Sequence, residues 1–428
     1  GFSQDFEWAE KLGSFFSTQR FFESAVGPNN DFYVGGSFQG SFDLIPGPDQ
    51  DLLVANGIYD ALIAKFDEDG NLVWAKNWGG DQLNEVQSIN VDINGNVLVT
   101  GYCEGEFDAD PGEGVQMVNT EGGYDIFIAK FDPNGDLLWF KTLGGDENDQ
   151  GKSISSDAEG NVYCAGYYEE SVTVIIPGSS IETLNAAGSR DIFIVKLTPD
   201  GDYLWAQDYG SNSIEEANSI HCDGIGNFYI TGFYVGAIDF YPTNDSTVVA
   251  PGAPFFDAFI AKYTVDNEFV WLRTLGGDNE TRGSKLTTDA EGNVLTVGFF
   301  TEVGDFDPGL DSFELTSTGQ RDAFISKLDQ NGDFIWAKNL GNESLTRGTD
   351  VDVDPDNNVY LTGNFTGPID LDPGESEANV TSSASDGFFV KLNASGEYQY
   401  AYHNGRLIDG VAIGSDGDIF IAGINDDL

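Results

Sequence analysis

Tryptophans recur at Trp8, Trp74, Trp139, Trp205, Trp271 and Trp336, with Tyr400 in the next equivalent place, at spacings of 66, 65, 66, 66, 65 and 64 residues. A period this regular overrides the expectation of two or three domains for 428 residues and marks a repeat architecture in which each unit is one supersecondary element. Residues 1–428 therefore read as a single domain with a period of about 65 residues and an incomplete last repeat.

Each period carries four short apolar segments, called a, b, c and d here. In the second unit they are Val86–Val91, Val97–Gly101, Asp125–Lys130 and Leu137–Lys141, with tight turns at Asp92–Gly95 and Asp132–Gly135. Strands of four to six residues joined by Asx and Gly turns predict a four-stranded antiparallel meander per period. The a–b hairpin recurs seven times, from Gly27–Asn30 to Gly414–Gly417, and the c strand six times, beginning at Asp60, Asp125, Asp191, Asp257, Asp322 and Asp386. A small sheet with two apolar faces cannot bury both alone, whereas radial stacking covers them and protects the edges. The prediction is an all-β fold: a seven-bladed β-propeller with a strands innermost and the tryptophans buried between blades. The ring would be closed by an N-terminal d strand, Phe6–Lys11, joining C-terminal a–b strands that end at Ile419–Gly423. The last c strand is missing, so the natural chain is expected to continue past Leu428, or that blade to be incomplete.

The string D-x-F-I-x-K-x-D-x-x-G-x-x-x-W-x-x-x-x-G followed by D-x-x-G-N-V-Y-x-x-G, as at Asp125–Gly144 and Asp157–Gly166, resembles the SBBP repeats of large surface proteins of the Bacteroidetes. The resemblance covers essentially the whole chain and implies a propeller, export by the type IX system, a sorting domain that this sequence does not contain, and a secreted or cell-surface location. It also implies secretion-machinery or outer-membrane partners. Asp245-Ser246-Thr247 is similar to the O-glycosylation signal of that phylum, with Ser246 as the acceptor. The Ala64–Trp74 hairpin resembles the tryptophan-docking repeat of quinoprotein dehydrogenases, but the usual Thr before Gly70 and the vicinal cysteine pair are both missing.

Seventy-two acidic residues against 19 basic ones give a formal charge of −53. That excess argues against nucleic acid and anionic membranes, which need Lys and Arg to meet phosphates. No run of 18 apolar residues exists to insert in a bilayer. The chain begins Gly1-Phe2-Ser3 without Met, which fits a processed, exported chain or a trimmed one. Cys103, Cys164 and Cys222 lie far apart and read as small buried apolar residues, with neither a disulfide framework nor a zinc site.

Strand parity puts the b–c insertions and the d–a connections on one face of the disc. The insertions carry Asp108 and Asp110, Asp305 and Asp307, and Asp370 and Asp372 beside Pro-Gly turns, with weaker copies at Asp43 and Asp239 and Thr173 in the third unit. The d–a connections add Asp81, Asp146 and Asp278. Carboxylates at i and i+2 beside exposed carbonyls are hard oxygen ligands suited to Ca²⁺, and the same aspartates are equally suited to cap the Pro-Gly turns. Asp352-Val-Asp354-Pro-Asp356 has the first ligands of an EF-hand loop but Asn357 and Gly363 at the sixth and twelfth positions, so it is not one.

Enzymatic chemistry finds little support. His221 and His403 stand without a nucleophile motif. Carboxylate pairs for glycoside cleavage are numerous, and nothing selects one. The expectation is a non-catalytic surface module, for adhesion, for binding a protein or glycan through its acidic loop face, or as a rigid spacer. The alternative is a polysaccharide-active hydrolase or lyase on a propeller scaffold.

Overall fold

In a computed structural model the described residues are 19–423, apart from 45–51, 121, 179–180, 241–247, 250–254, 278, 342, 344, 375 and 404. They form six four-stranded antiparallel blades, each ordered a-b-c-d. Blade 1 is Gln19–Val26, Phe32–Phe38, Asp60–Phe66 and Leu72–Trp78, and blade 2 is Asn84–Val91, Val97–Cys103, Asp125–Phe131 and Leu137–Leu143. Blade 3 is Gln150–Ser156, Val162–Tyr168, Asp191–Leu197 and Tyr203–Tyr209, and blade 4 is Glu216–Cys222, Phe228–Tyr234, Asp257–Tyr263 and Phe269–Gly277. Blade 5 is Thr281–Thr288, Val294–Phe300, Asp322–Leu328 and Phe334–Leu340, and blade 6 is Thr346–Val353, Val359–Asp370, Asn379–Leu392 and Tyr398–His403.

Six blades replace the seven expected from the hairpin count. The seventh hairpin, Gly410–Ile413 with Ile419–Ala422, is a two-stranded sheet. A hairpin count registers a and b strands, whereas a blade also needs c and d, and among the described residues this pair stands without them. The hairpin nevertheless has a place in the ring: Val411 packs with Tyr360 and Phe389 of blade 6, and Phe420 stacks on Phe32 of blade 1 at 4.8 Å. The N-terminal segment expected to complete it, Phe6–Lys11, lies outside the described residues.

The hydrophobic clusters lie between blades, as radial stacking requires. Trp78 at the end of d in blade 1 is buried against Phe127, Phe131 and Phe140 of blade 2, and Tyr209 of blade 3 meets Phe240 and Tyr263 of blade 4. All three cysteines are buried and unbridged. The repeated tryptophans are less enclosed than expected. Trp271 is buried, while Trp74, Trp139, Trp205 and Trp336 are half-buried. Their position near the c–d turn places them at an outer edge, where an indole can use its N–H. Trp74, Trp139, Trp271 and Trp336 donate to the carbonyls of Pro133, Pro199, Gln330 and Ala394 in the c–d turns of the next blade, at 3.0–3.4 Å. Gly201 of that turn, at φ +83°, lies on the Trp139 ring, where a Cβ would come within 2.7 Å.

The conserved-in-repeat Lys of strand c joins the same latch. Lys130, Lys196 and Lys327 donate to Pro199, Val265 and Ala394 carbonyls and pair with the a–b turn carboxylates of Asp92, Asp157 and Asp289 at 3.0, 3.5 and 2.8 Å. Those aspartates are fully buried along their side chains and also hold the turn, as Asp289 does by accepting from the Glu291 and Asn293 N–H groups. Near the axis, a-strand side chains bond the a strand of the next blade. Glu23 accepts from Ile89 N–H, Ser88 from Ile154, Ser219 from Leu286, and Asp350 from Val411 in the seventh hairpin. The ring is thus stitched both at its hub and at its rim.

Candidate functional site

In blades 2, 3 and 5 the b–c insertion folds as a small hairpin that rests on the d–a connection before it. The Gly80 Cα lies against the Glu106 carbonyl, Gly145 against that of Ser171, and Gly276 and Gly277 pair with Asp305 and Gly304. Insertions and d–a connections therefore share one face. Phe42, Phe107, Phe306 and Leu371 anchor the hairpins in the core, leaving the aspartates at the surface.

The predicted metal ligands are placed as turn caps. Asp108 Oδ1 accepts from Asp110 and Gln116 N–H, Asp305 Oδ1 from Asp307 and Phe313, and Asp370 Oδ1 from Asp372 and Ala378, all at 2.8–3.1 Å. Asp110, Asp307 and Asp372 each accept from the Gly two residues on. Each carboxylate thus commits one oxygen to the backbone. The pairs sit on separate hairpins of blades 2, 5 and 6, and among the described residues no three His, Cys, Asp or Glu side chains stand close enough to share an ion. Ser246 and Asp278 lie outside the described residues.

A second acidic series is buried beneath these loops. Asp60, Asp191 and Asp322, at the start of c, accept from the backbone of the loop before them: Asn56, Ala187 and Gly188, and Thr318. Burial raises the Asp60 and Asp191 carboxyls above the ordinary range. Each faces the glycine that ends d in its own blade, and a Cβ at Gly210 would lie 1.8 Å from Asp191 Oδ2. Asp149, fully buried, accepts from Gly145 and Glu169 N–H, and desolvation pushes it up to about 7. His221 bonds Thr288 between blades 4 and 5 and is driven down to about 4 by burial, and His403 bonds Asp386.

What sequence reasoning missed is a collar around the mouth of the central channel on this same face. One register position at the start of strand a carries Arg20, Glu85, Gln150, Glu216, Arg282 and Arg347, and the strand-b residues beside them are Ser37, Tyr102, Tyr167, Phe233, Phe299 and Asn364. The residue before strand c adds Tyr59, Tyr124, Arg190, Phe256 and Arg321. Five of the seven arginines of the chain meet here. Arg190 lies 4.4 Å from the Tyr167 ring and pairs with Glu169 and Glu216. Arg282 lies 4.1 and 4.0 Å from Phe233 and Phe256, and Arg321 lies 4.3 Å from Phe299. Tyr102 and Tyr124 pair at 4.9 Å, half-buried. Such planar cations on aromatic faces keep their N–H edges available for oxygen acceptors. The spacing of 65 residues between Arg282 and Arg347, one period, was the available signal.

Below the collar the channel is crossed by a charge cluster. Lys285 of blade 5 pairs with Glu23 of blade 1, beside Asp350 and Asp352 of blade 6. Desolvation raises both aspartates, Asp352 to about 6, against the opposing pull of Lys285.

No protein-family profile matches the chain. It is 24% identical over 370 residues to an uncharacterized WD repeat-containing protein of Acanthamoeba polyphaga mimivirus, covering 71% of this chain and 27% of that one. It is 23% identical over 172 residues to the regulatory protein FlaEY of Caulobacter vibrioides, covering 39% and 17%. The chain thus spans about a quarter of the first relative and less of the second. Among solved structures, the WD40 repeats of RRP9 align with 98% of this chain and 89% of theirs at TM-score 0.49 and 8% identity. A protein of unknown function from Bacteroides caccae aligns over 82% and 94% at TM-score 0.39 and 9% identity. The chain is a β-propeller repeat protein with WD-repeat relatives.

Proposed function

We propose that this propeller is a non-catalytic binding module of the SBBP type, secreted or displayed at the cell surface, that takes a glycan or protein ligand at the mouth of its channel. The observation that carries the reading is the collar: in a chain of net charge −53, five of seven arginines gather at one end of one channel, and Arg20, Arg190, Arg282 and Arg321 lie on aromatic faces there. Loops on a rigid scaffold are where propellers place recognition. The acidic hairpins around the collar would exclude nucleic acid and anionic membranes. Contacts to secretion machinery or outer-membrane partners, and O-glycosylation at Ser246, belong to the same proposal and rest on the repeat string alone.

Against catalysis, the groups with the most suggestive chemistry are occupied. The thiols are buried, with Cys164 raised to about 12 by desolvation, and a thiol so raised is a poor nucleophile. Asp149, one of the carboxyls that burial raises toward neutrality, has both oxygens on backbone N–H groups. Calcium enters the proposal only as a counter-ion of the acidic face, supported by charge density.

The test is a glycan array, with the wild type compared with Glu216→Ala and Tyr102→Ala at the mouth and with Glu68→Ala in a remote c–d turn. A screen for turnover on plant and algal polysaccharides runs beside it. Ligands lost on the mouth variants and kept on the remote one are expected. Turnover abolished by a single carboxylate substitution would overturn the reading.

A further inference from the structure

The collar is not uniform around the axis. On blades 3 and 4 its cations are matched, since Arg190 is held by Glu169 and Glu216 together. On blades 5 and 6 the pattern changes. Arg282 pairs with Glu280 at 2.6 Å and Arg347 reaches Asp409 at 3.7 Å, while Arg321 makes no ion pair among the described residues and its buried Nε has no hydrogen-bond partner. Arg321 and Arg282 share one ring, lying 4.3 and 6.0 Å from Phe299. The Arg347 position on strand a is one blade on from that of Arg282.

A guanidinium without an acceptor beside two others is an unfavourable arrangement. A buried donor left unmade forfeits a hydrogen bond to water, and like charges in a partly dry environment repel. Consistent with this, burial lowers the Arg321 pKa, and Arg347 and Arg282 lower it further, with Glu280 opposing. Nothing in the fold requires the arrangement, because Tyr59, Tyr124 and Phe256 fill the same position in blades 1, 2 and 4 with uncharged rings. What would satisfy it is a group with several acceptor oxygens and negative charge, for which the fork of an Arg has the matching geometry.

We infer that Arg282, Arg321 and Arg347 form an oxyanion subsite, on the Phe299 side of the channel mouth, for a carboxylate, sulfate or phosphate group carried by the ligand. The inference rests on the reading of the mouth as the binding surface and narrows it to an anionic ligand. Approach of such a ligand is opposed at long range by the acidic protein, so binding strengthens as salt screens that field and weakens again when salt competes with the subsite.

The experiment uses the whole chain and simple probes. Melting curves are taken in sodium sulfate, sodium phosphate and sodium glucuronate, each against NaCl of the same ionic strength, for the wild type, Arg321→Gln, Arg347→Gln, and Arg273→Gln at the outer edge. Wild type and Arg273→Gln should gain stability from at least one oxyanion beyond chloride, with a half-effect concentration raised at least tenfold by Arg321→Gln or Arg347→Gln. The responding salts separate tetrahedral from planar groups. Without added oxyanion, Arg321→Gln should melt no lower than the wild type, because it removes an unpartnered charge. An adventitious ion only, bound equally by all four proteins, would overturn the subsite, as would no oxyanion-specific gain in the wild type. Array binding that survives Arg321→Gln would remove the oxyanion subsite and leave the mouth as a binding surface. A sulfate effect without any array ligand sensitive to mouth variants would do the reverse.

Discussion

Replacing Asp289 tests whether the latch between a–b turn and strand c holds the blades. Its Oδ1 accepts from Glu291 and Asn293 N–H at 3.0 and 2.9 Å, and its Oδ2 from Asn293 Nδ2 and Lys327 Nζ, both at 2.8 Å. The side chains of Asp289 and Lys327 are 0% and 5% exposed, so Asp289→Ala leaves a buried ammonium with only the Ala394 carbonyl and two turn N–H groups without their acceptor. Breaking a buried pair by removing one partner costs about 3–5 kcal/mol. The turn N–H groups are near the surface and can take water, so a figure of about 4 kcal/mol is expected rather than the sum. At an unfolding entropy of about 2.1 cal/mol/K per residue, a chain of 428 residues melting as a unit would lose about 4–5 °C. Lys327→Met removes the charge while keeping most of the aliphatic stem. The assay is a double-mutant cycle by calorimetry and guanidinium unfolding: Asp289→Ala on the Lys327→Met background should cost at least about 1.5 kcal/mol less than on the wild type. Additivity within about 0.5 kcal/mol would refute the latch and leave Asp289 as an ordinary turn cap.

The pH dependence of stability should be skewed to the acid side. Asp149 and Asp352, raised to about 7 and about 6, together with Asp350, contribute stability that is full below the unfolded carboxyl range and is lost as pH climbs through 6–7, whereas the lowered Asp92, Asp289 and Asp354 contribute above that range and lose it below. Tm should therefore peak near pH 5 and fall by pH 8 even in 0.5 M NaCl, where long-range repulsion is screened; a flat or rising profile counts against buried carboxyls. Gly210→Ala should destabilise by several kcal/mol through its clash with Asp191, while Gly224→Ala, with no atom within 4 Å of the added Cβ, should change stability by less than about 0.5 kcal/mol; equal effects would mean the d-strand glycines serve only as turns. Millimolar Ca²⁺, EDTA and ionic-strength-matched NaCl should give coincident melting curves if the Asp305 and Asp307 carboxylates are caps, and a Ca²⁺-specific rise abolished by Asp305→Asn with Asp307→Asn would establish an ion site instead.

The strand order, the turns and the shared face of the acidic loops were legible because each depends on residues that recur every period. The a–b turns show why: Asp, Gly and Asn at fixed offsets do one local job, and Gly95, Gly160, Gly226 and Gly292 all take positive φ there. Burial was less legible. The Trp139 spacing reveals the period but not whether the ring faces the blade interior or its rim, since an indole suits both and the deciding partner, the Pro199 carbonyl, is 60 residues away. The Asp125 series was visible as the start of c, and the glycine that closes d was visible too, yet their contact joins two ends of a hairpin whose closeness only the register discloses. The blade count differs because the seventh pair of strands carries the hairpin signature, while among the described residues no c or d strand pairs with it.

A repeat hides function for the same reason it reveals fold. Positions that agree across units, such as Lys130, Lys196 and Lys327, are those that every blade needs in order to stack, and the structure assigns them to stacking. Ligands break the symmetry of a ring, so the residues that meet one are expected where the units disagree. The position before strand c is such a place: Tyr59, Tyr124, Arg190, Phe256 and Arg321 share backbone geometry while differing in charge, and among the described residues Arg190 finds carboxylate partners where Arg321 does not. A charge that the fold does not need and does not satisfy costs stability in the free protein. Its place at the open end of a channel, against the ring of Phe299, is where that cost can be offset by something arriving from outside.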